Sequence, residues 1–114
     1  MLFWKKKAKR MRQDGWLKVD YRGPDIFVRL FGRLDHTVRN KIYRTLQPLL
    51  KQDIDGAICL QMTDVFLLDT ASASSLVRFL RDANQCNVPI EVWGVSPVVI
   101  RAFEGLGVGE LLKR

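Results

Sequence analysis

Apolar and polar residues alternate from Trp16 to Arg22, with Leu17, Val19 and Tyr21 on one side and Trp16, Lys18 and Asp20 on the other. That is the period of a half-buried strand. After the turn Gly23-Pro24-Asp25 the alternation resumes: Ile26, Val28 and Leu30 face one way, Phe27, Arg29 and Phe31 the other. The short connection predicts a hairpin. The period then changes. Val38, Ile42, Leu46, Leu49 and Leu50 recur at helical spacing and predict an amphipathic helix over 37–51, capped by Asp35 or Thr37 and distorted at Pro48 in its last turn. Beyond the loop Asp53-Ile54-Asp55-Gly56, the run from Ala57 to Met62 is apolar apart from Gln61, which predicts a central strand covered on both faces. A second apolar burst, Val65-Phe66-Leu67-Leu68, ends at Asp69-Thr70. Residues 72–85 predict a helix with Ala73, Leu76, Phe79, Leu80 and Ala83 inward. Asn87-Val88-Pro89 turns the chain into a strand from Ile90 to Val95. Ser96-Pro97 opens a further helix, with Ser as N-cap and Pro in the first helical position, and Gly105 stops it. Leu106, Val108, Leu111 and Leu112 supply a last short apolar segment.

The order β-β-α-β-α-β-α implies an α/β fold in which a mixed β-sheet has helices packed against it. A length of 114 residues fits one such domain. The net charge of +7 changes this picture in one place. Residues 1–24 carry eight Lys/Arg against Asp14 and Asp20, whereas residues 25–114 carry eleven bases against ten acids. The body is close to neutral and the basic character belongs to a tail. The chain therefore divides into a basic N-terminal tail, 1–15, and a domain, 16–114. Cys59 and Cys86 have no metal-like spacing; Cys59 sits in an apolar run and is expected to pack as a small hydrophobe. Both read as free thiols in a reducing compartment. No apolar run reaches membrane-spanning length, and Lys5 to Lys7 interrupt the N-terminus before a secretory core forms. A cytoplasmic location is the expectation, with the tail touching the inner membrane face.

Three stretches, in order and on matching elements, resemble the STAS domain of bacterial anti-sigma factor antagonists over about residues 16–114. Phe31-Gly32-Arg33-Leu34-Asp35 resembles the family's strand end before its first helix. Val65-Phe66-Leu67-Leu68-Asp69-Thr70-Ala71-Ser72 resembles the family's V-x-F-I-D-S-S-G junction. Val92-Trp93-Gly94-Val95-Ser96-Pro97-Val98-Val99-Ile100-Arg101, followed by Gly105-Leu106-Gly107, is similar to the family's third conserved stretch. The resemblance implies partner switching. The junction and the helix after it dock a kinase-like anti-sigma factor, and phosphorylation of the second Ser of D-S-S-G breaks the complex through added charge. On this pattern the partner-binding residues are Asp69, Thr70, Ala71, Ser72, Ser74, Ser75 and Arg78. The chain departs from the pattern at one decisive residue: Ala71 stands where the phosphoacceptor belongs. Thr70 and Ser72 are the nearest hydroxyls that could take its place. The same residues also suit helix capping, whether or not they signal.

No catalytic constellation is present. The single histidine, His36, lacks a second His for a metal or triad scheme and reads as a surface residue. The expectation is a protein that is not an enzyme and needs no cofactor or metal. The tail, as a helix, places Trp4, Ala8 and Met11 on one side with Lys5, Lys6, Lys7, Lys9, Arg10 and Arg12 around the rest, which suits reversible binding to anionic lipid; a solvated tail is the competing reading. A second resemblance follows from Asp69-Thr70-Ala71, which is similar to the small STAS subunit of Mla-type phospholipid ABC transporters, implying a permease–ATPase core as partner. Nucleic acid is disfavoured, because the charge is confined to the tail and the domain shows no aromatic–basic interleaving.

Overall fold

The structure, a computed structural model, describes residues 12–13, 15–52 and 55–113. Its strands are β1 (Arg12–Gln13), β2 (Leu17–Arg22), β3 (Asp25–Leu34), β4 (Ile58–Leu68) and β5 (Ile90–Val95). Its helices are α1 (Arg39–Leu46), α2 (Thr70–Gln85) and α3 (Pro97–Gly105), with 3-10 turns at Gln47–Lys51 and Gly109–Leu112. The strands form one sheet in the order β1-β2-β3-β4-β5. β1/β2 and β2/β3 are antiparallel; β3/β4 and β4/β5 are parallel.

The expected β-β-α-β-α-β-α order is present, with one addition. β1 lies within the stretch read as tail, and it pairs Arg12 with Val19 and Gln13 with Lys18. Of the tail, residues 1–11, including Trp4 to Arg10, and Asp14 lie outside the described residues. β2 and β3 form the expected hairpin around a two-residue loop, with Arg22 opposite Asp25. Gly23 has φ +59°, a conformation that such a loop requires at its first position and that only glycine adopts without strain.

The two parallel crossovers, β3-α1-β4 and β4-α2-β5, each step to the next strand in the same direction. Right-handed crossovers of that kind put both helices on one face of the sheet. The core lies there: Leu17, Val19, Ile26, Val28, Leu30, Ile58, Leu60 and Met62 from the strands meet Ile42, Leu46, Leu76, Phe79, Leu80, Val99 and Phe103 from the helices, all buried. The central strand is therefore helix-covered on one face, not two as its apolar run suggested. On the other face Cys59 is buried by neighbouring side chains, beside Phe27 and Glu91 with which it is in register.

The predicted helix over 37–51 is shorter. α1 gives way to a 3-10 turn at Gln47, because Pro48 has no N–H to continue the α ladder. Neither Asp35 nor Thr37 caps α1. The Asp35 carboxylate instead accepts from the Thr37 N–H (3.0 Å) and hydroxyl (2.7 Å), while its own carbonyl accepts from Val38 and Arg39. The two bonds from Thr37 hold the Asp35 carboxyl below its usual pKa, the Thr37 hydroxyl contributing most. The apolar run from Ala57 to Met62 and the second burst from Val65 to Leu68 join into one strand, β4, of eleven residues. No helix among the described residues is long and apolar enough to cross a membrane.

Candidate docking site

β4 delivers the chain to α2 through two register shifts against β3. From Gly32↔Val65 the pairing moves to Arg33↔Leu67, so Phe66 is an extra residue with no partner on β3. A bulge of this kind re-aims a side chain. Phe66 is 63% exposed, the most exposed large apolar side chain among the described residues.

Three residues later Asp69 leaves the strand in extended conformation (φ −82°, ψ 169°), and its carboxylate accepts the Ser72 N–H at 2.8 Å. Asp69 is thus the N-cap of α2, which starts at Thr70, two residues earlier than the periodicity predicted. The capping role expected for Asp69 is its observed role.

α2 turns Ser72, Ala73, Leu76, Val77, Phe79, Leu80 and Ala83 inward. The exposed stripe is Thr70, Ala71, Ser74, Arg78 and Arg81. Small residues occupy its first half and arginines its second. Beside it lies a groove of about 410 Å³ between α2 and the segment after α3, lined in part by Ser74, Arg78, Arg81, Leu106 and Val108. Arg78 stacks over the Tyr43 ring of α1 at 3.9 Å. The Tyr43 hydroxyl donates to Asp82, which raises its pKa above the ordinary tyrosine value. These contacts fix the α1–α2 side of the stripe.

Of the sequence-derived site residues, the fold brings Thr70, Ala71, Ser74 and Arg78 onto one surface, with Asp69 half-buried beneath it as the cap. Ser72 does not join them: it has 0% exposure and its hydroxyl points to the Asp35 carbonyl at 3.4 Å. Helical spacing already carried this signal, since Ser72 precedes the inward Leu76 and Phe79 by four and seven residues. Ser75 is half-buried, its hydroxyl 3.4 Å from the Arg39 carbonyl. The residue missed from sequence is Phe66. It read as one more position in an apolar run, and no local signal announced the bulge that exposes it.

Among the described residues no group of three or more His, Cys, Asp or Glu is placed to hold a metal. Buried Cys59 has its thiol pKa raised, chiefly by desolvation, which keeps it protonated and unreactive.

A mixed sheet with helices on one face and a capped strand–helix junction at the end of β4 defines a small α/β domain. The model of the STAS domain matches residues 17–113, and the chain belongs to that family. Among solved structures it is similar to the anti-sigma factor antagonist SpoIIAA in its unphosphorylated form (TM-score 0.68, 19% identity, 83% of this chain and 84% of that chain). It is also similar to the Bacillus cell fate determinant SpoIIAA in its phosphorylated form (TM-score 0.65, 18% identity, 83% and 86%). A structure of Mglu shares the fold over 65% of this chain but only 18% of its own (TM-score 0.56, 19% identity). No curated protein sequence matches.

Proposed function

We propose that this chain is a non-enzymatic docking module, similar to anti-sigma factor antagonists, that binds a partner protein through Phe66 and the exposed stripe of α2 and lacks the phosphorylation switch at its usual residue. The observation that carries this reading is Ala71. It lies exposed on the first turn of α2, where the STAS pattern has its phosphoacceptor, and it has no hydroxyl to esterify. Ser72 is sealed in the core, which leaves Thr70 as the exposed hydroxyl at the junction. A phosphate on Thr70 would sit at the helix N-terminus, where the fold tolerates it; its charge would act on the partner. Arg78 and Arg81 suit a partner with an acidic docking surface.

A second reading rests on the same residue. A module with no phosphoacceptor fits a constitutive subunit, and Asp69-Thr70-Ala71 is similar to the STAS subunit of Mla-type phospholipid transporters. Both readings place the domain in the cytoplasm, and the basic tail would hold it reversibly at an anionic membrane surface. Affinity capture from the native cell with mass spectrometry separates them. A serine-kinase-like partner supports the regulator, and permease or ATPase subunits support the transporter. Ser74→Arg should abolish capture of either while leaving the melting temperature unchanged; full capture would move the docking surface elsewhere. Peptide mapping of residues 64–78 in the same material should find no phosphate at Ala71 or Ser72, and stoichiometric phosphate on Thr70 would restore a regulated switch at a shifted residue. For the tail, a chain starting at Arg12 keeps β1 and should lose binding to anionic vesicles; equal binding would end the anchor reading.

A further inference from the structure

The near-neutral body is unevenly charged. α1 and α2 lie side by side: the Ser75 hydroxyl reaches the Arg39 carbonyl (3.4 Å), and Arg78 and Asp82 both engage Tyr43. The two helices carry Arg39, Lys41, Arg44, Arg78 and Arg81 but a single acid, Asp82. All five bases are exposed. Asp82 is half-buried, and its carboxylate accepts the Tyr43 hydroxyl. The ion pairs Arg22–Asp20, Arg29–Asp64 and Arg33–Asp35 all lie off these helices. Among the described residues, no carboxylate comes within ion-pair distance of Arg39, Arg44, Arg78 or Arg81.

Helical period sorts these bases. Arg39 shares the α2-facing flank of α1 with Tyr43, four residues on, and Arg44 follows Tyr43 toward solvent. Lys41 leaves on the opposite flank. Arg78 stacks over Tyr43, and Arg81 stands about one turn further along α2. Four guanidiniums thus occupy adjoining faces of two helices. Beside them the groove of about 410 Å³ adds an apolar strip, with Val77, Leu106 and Val108 lining it together with Ser74, Arg78 and Arg81.

A surface of this charge could meet a nucleic acid, an anionic membrane or an acidic protein, and the geometry separates them. Four cations fall short of the about six to ten phosphate contacts of a duplex-binding protein. The aromatic ring among them, Tyr43, is already covered by Arg78, so no base can stack on it. A membrane-surface site sinks apolar side chains beside its cations, and Phe66, Trp93 and Ile100, the exposed large apolar residues among those described, all lie off α1 and α2. An acidic protein segment matches both parts of the surface. Carboxylates fit the planar fork of arginine in paired hydrogen bonds, and apolar side chains enter the groove. We propose that the four arginines and the groove receive one acidic amphipathic helix of the partner protein. From Ser74 to Gln85 the groove wall runs about 16 Å, which about three helical turns cover. This rests on the docking reading, to which it adds α1 and the chemistry of the partner segment.

The test titrates the isotope-labelled full chain, followed by amide NMR so that the tail and the helices are read apart, at about 0.15 M salt. The probe is a peptide of about 14 Glu and Leu residues, with Leu at helical spacing. Amide shifts should concentrate on α1, α2 and residues 106–108. Arg44→Glu combined with Arg81→Glu, both exposed and outside any ion pair, should leave the circular dichroism unchanged and weaken the peptide at these amides about tenfold or more. The same peptide with Ser in place of Leu should bind the parent about tenfold more weakly, having lost its groove contacts. Undiminished binding by the doubly reversed chain, equal binding of the Ser peptide, or a higher arginine-dependent affinity for a DNA duplex or phosphatidylglycerol vesicles would overturn the proposal. The docking reading fails separately. If Ser74→Arg abolishes capture from the native cell while the reversed chain holds the peptide fully, only this proposal falls; if Ser74→Arg leaves capture intact, both fall.

Discussion

At the end of β4 Asp69 turns into α2 at φ −82°, ψ 169°, and its carboxylate accepts the Ser72 N–H at 2.8 Å. At the end of β5 Ser96 turns into α3 at φ −82°, ψ 162°, and its hydroxyl accepts the Val99 N–H at 3.4 Å. The backbone solution is the same at both junctions: an extended cap residue whose side chain satisfies the third N–H of the following helix. What surrounds the caps differs. Ser96 is buried and is followed by Pro97, which presets the helix but offers no polar group. Both caps follow a bulged, exposed aromatic by three residues, Phe66 before Asp69 and Trp93 before Ser96, but Asp69 is half-exposed and is followed by the exposed small residues Thr70, Ala71 and Ser74. Neither the cap nor the outward aromatic distinguishes the two junctions; the exposed small-residue face of α2 does.

The sharpest way to compare the two helices is to remove their anchors. Phe79 in α2 and Phe103 in α3 are both fully buried, so Phe79→Ala and Phe103→Ala should each cost about 3–5 kcal/mol in urea unfolding. If Phe103→Ala costs under about 1 kcal/mol, α3 is a loose cover and not part of the same cooperative core. The caps come next. Asp69→Ala should lose about 1 kcal/mol and Ser96→Ala less, given its longer bond. Asp69→Asn keeps an acceptor and should retain most of that stability, so any loss of partner binding it causes reports on the charge. The exposed apolar residues beside the two helices should matter least to folding: Phe66→Ala and Ile100→Ala are expected to shift stability by no more than about 0.5 kcal/mol. Only Phe66→Ala should reduce binding to the captured partner, and equal loss from both would extend the docking surface to α3.

The β3–α1 junction supplies the smallest effect and a pH signature. The Asp35 carboxyl is held below its ordinary value of 3.8 by Thr37. A depressed carboxyl contributes stability above its unfolded pKa and loses it as pH falls through the folded one. Acid titration of the melting temperature should therefore decline less steeply below pH ~4 in Thr37→Ala than in the parent. Parallel curves would mean that the Asp35 turn does not couple to folding.

The element order was readable along the chain because it is written in local period. Alternation gave β2 and β3, and the spacing of Leu76, Phe79 and Ala83 gave α2. Asp69 and Ser96 are caps whose chemistry acts within three residues, so both were legible, as was the interruption at Pro48. Ala71 too is a statement of sequence alone, since no fold can give alanine a hydroxyl. Other features were decided only when strands met. That the apolar runs on either side of Thr63-Asp64 form one strand rests on pairing with β3, some thirty positions away. Phe66 and Trp93 point outward because each is an extra residue opposite its neighbouring strand, a mismatch that exists only between two strands. The burial of the sheet on one face follows from the handedness of two crossovers, and on the other face the Arg29–Asp64 ion pair joins residues 35 positions apart. These are relations between distant segments, set by register and chirality, and a period read along one segment does not contain them.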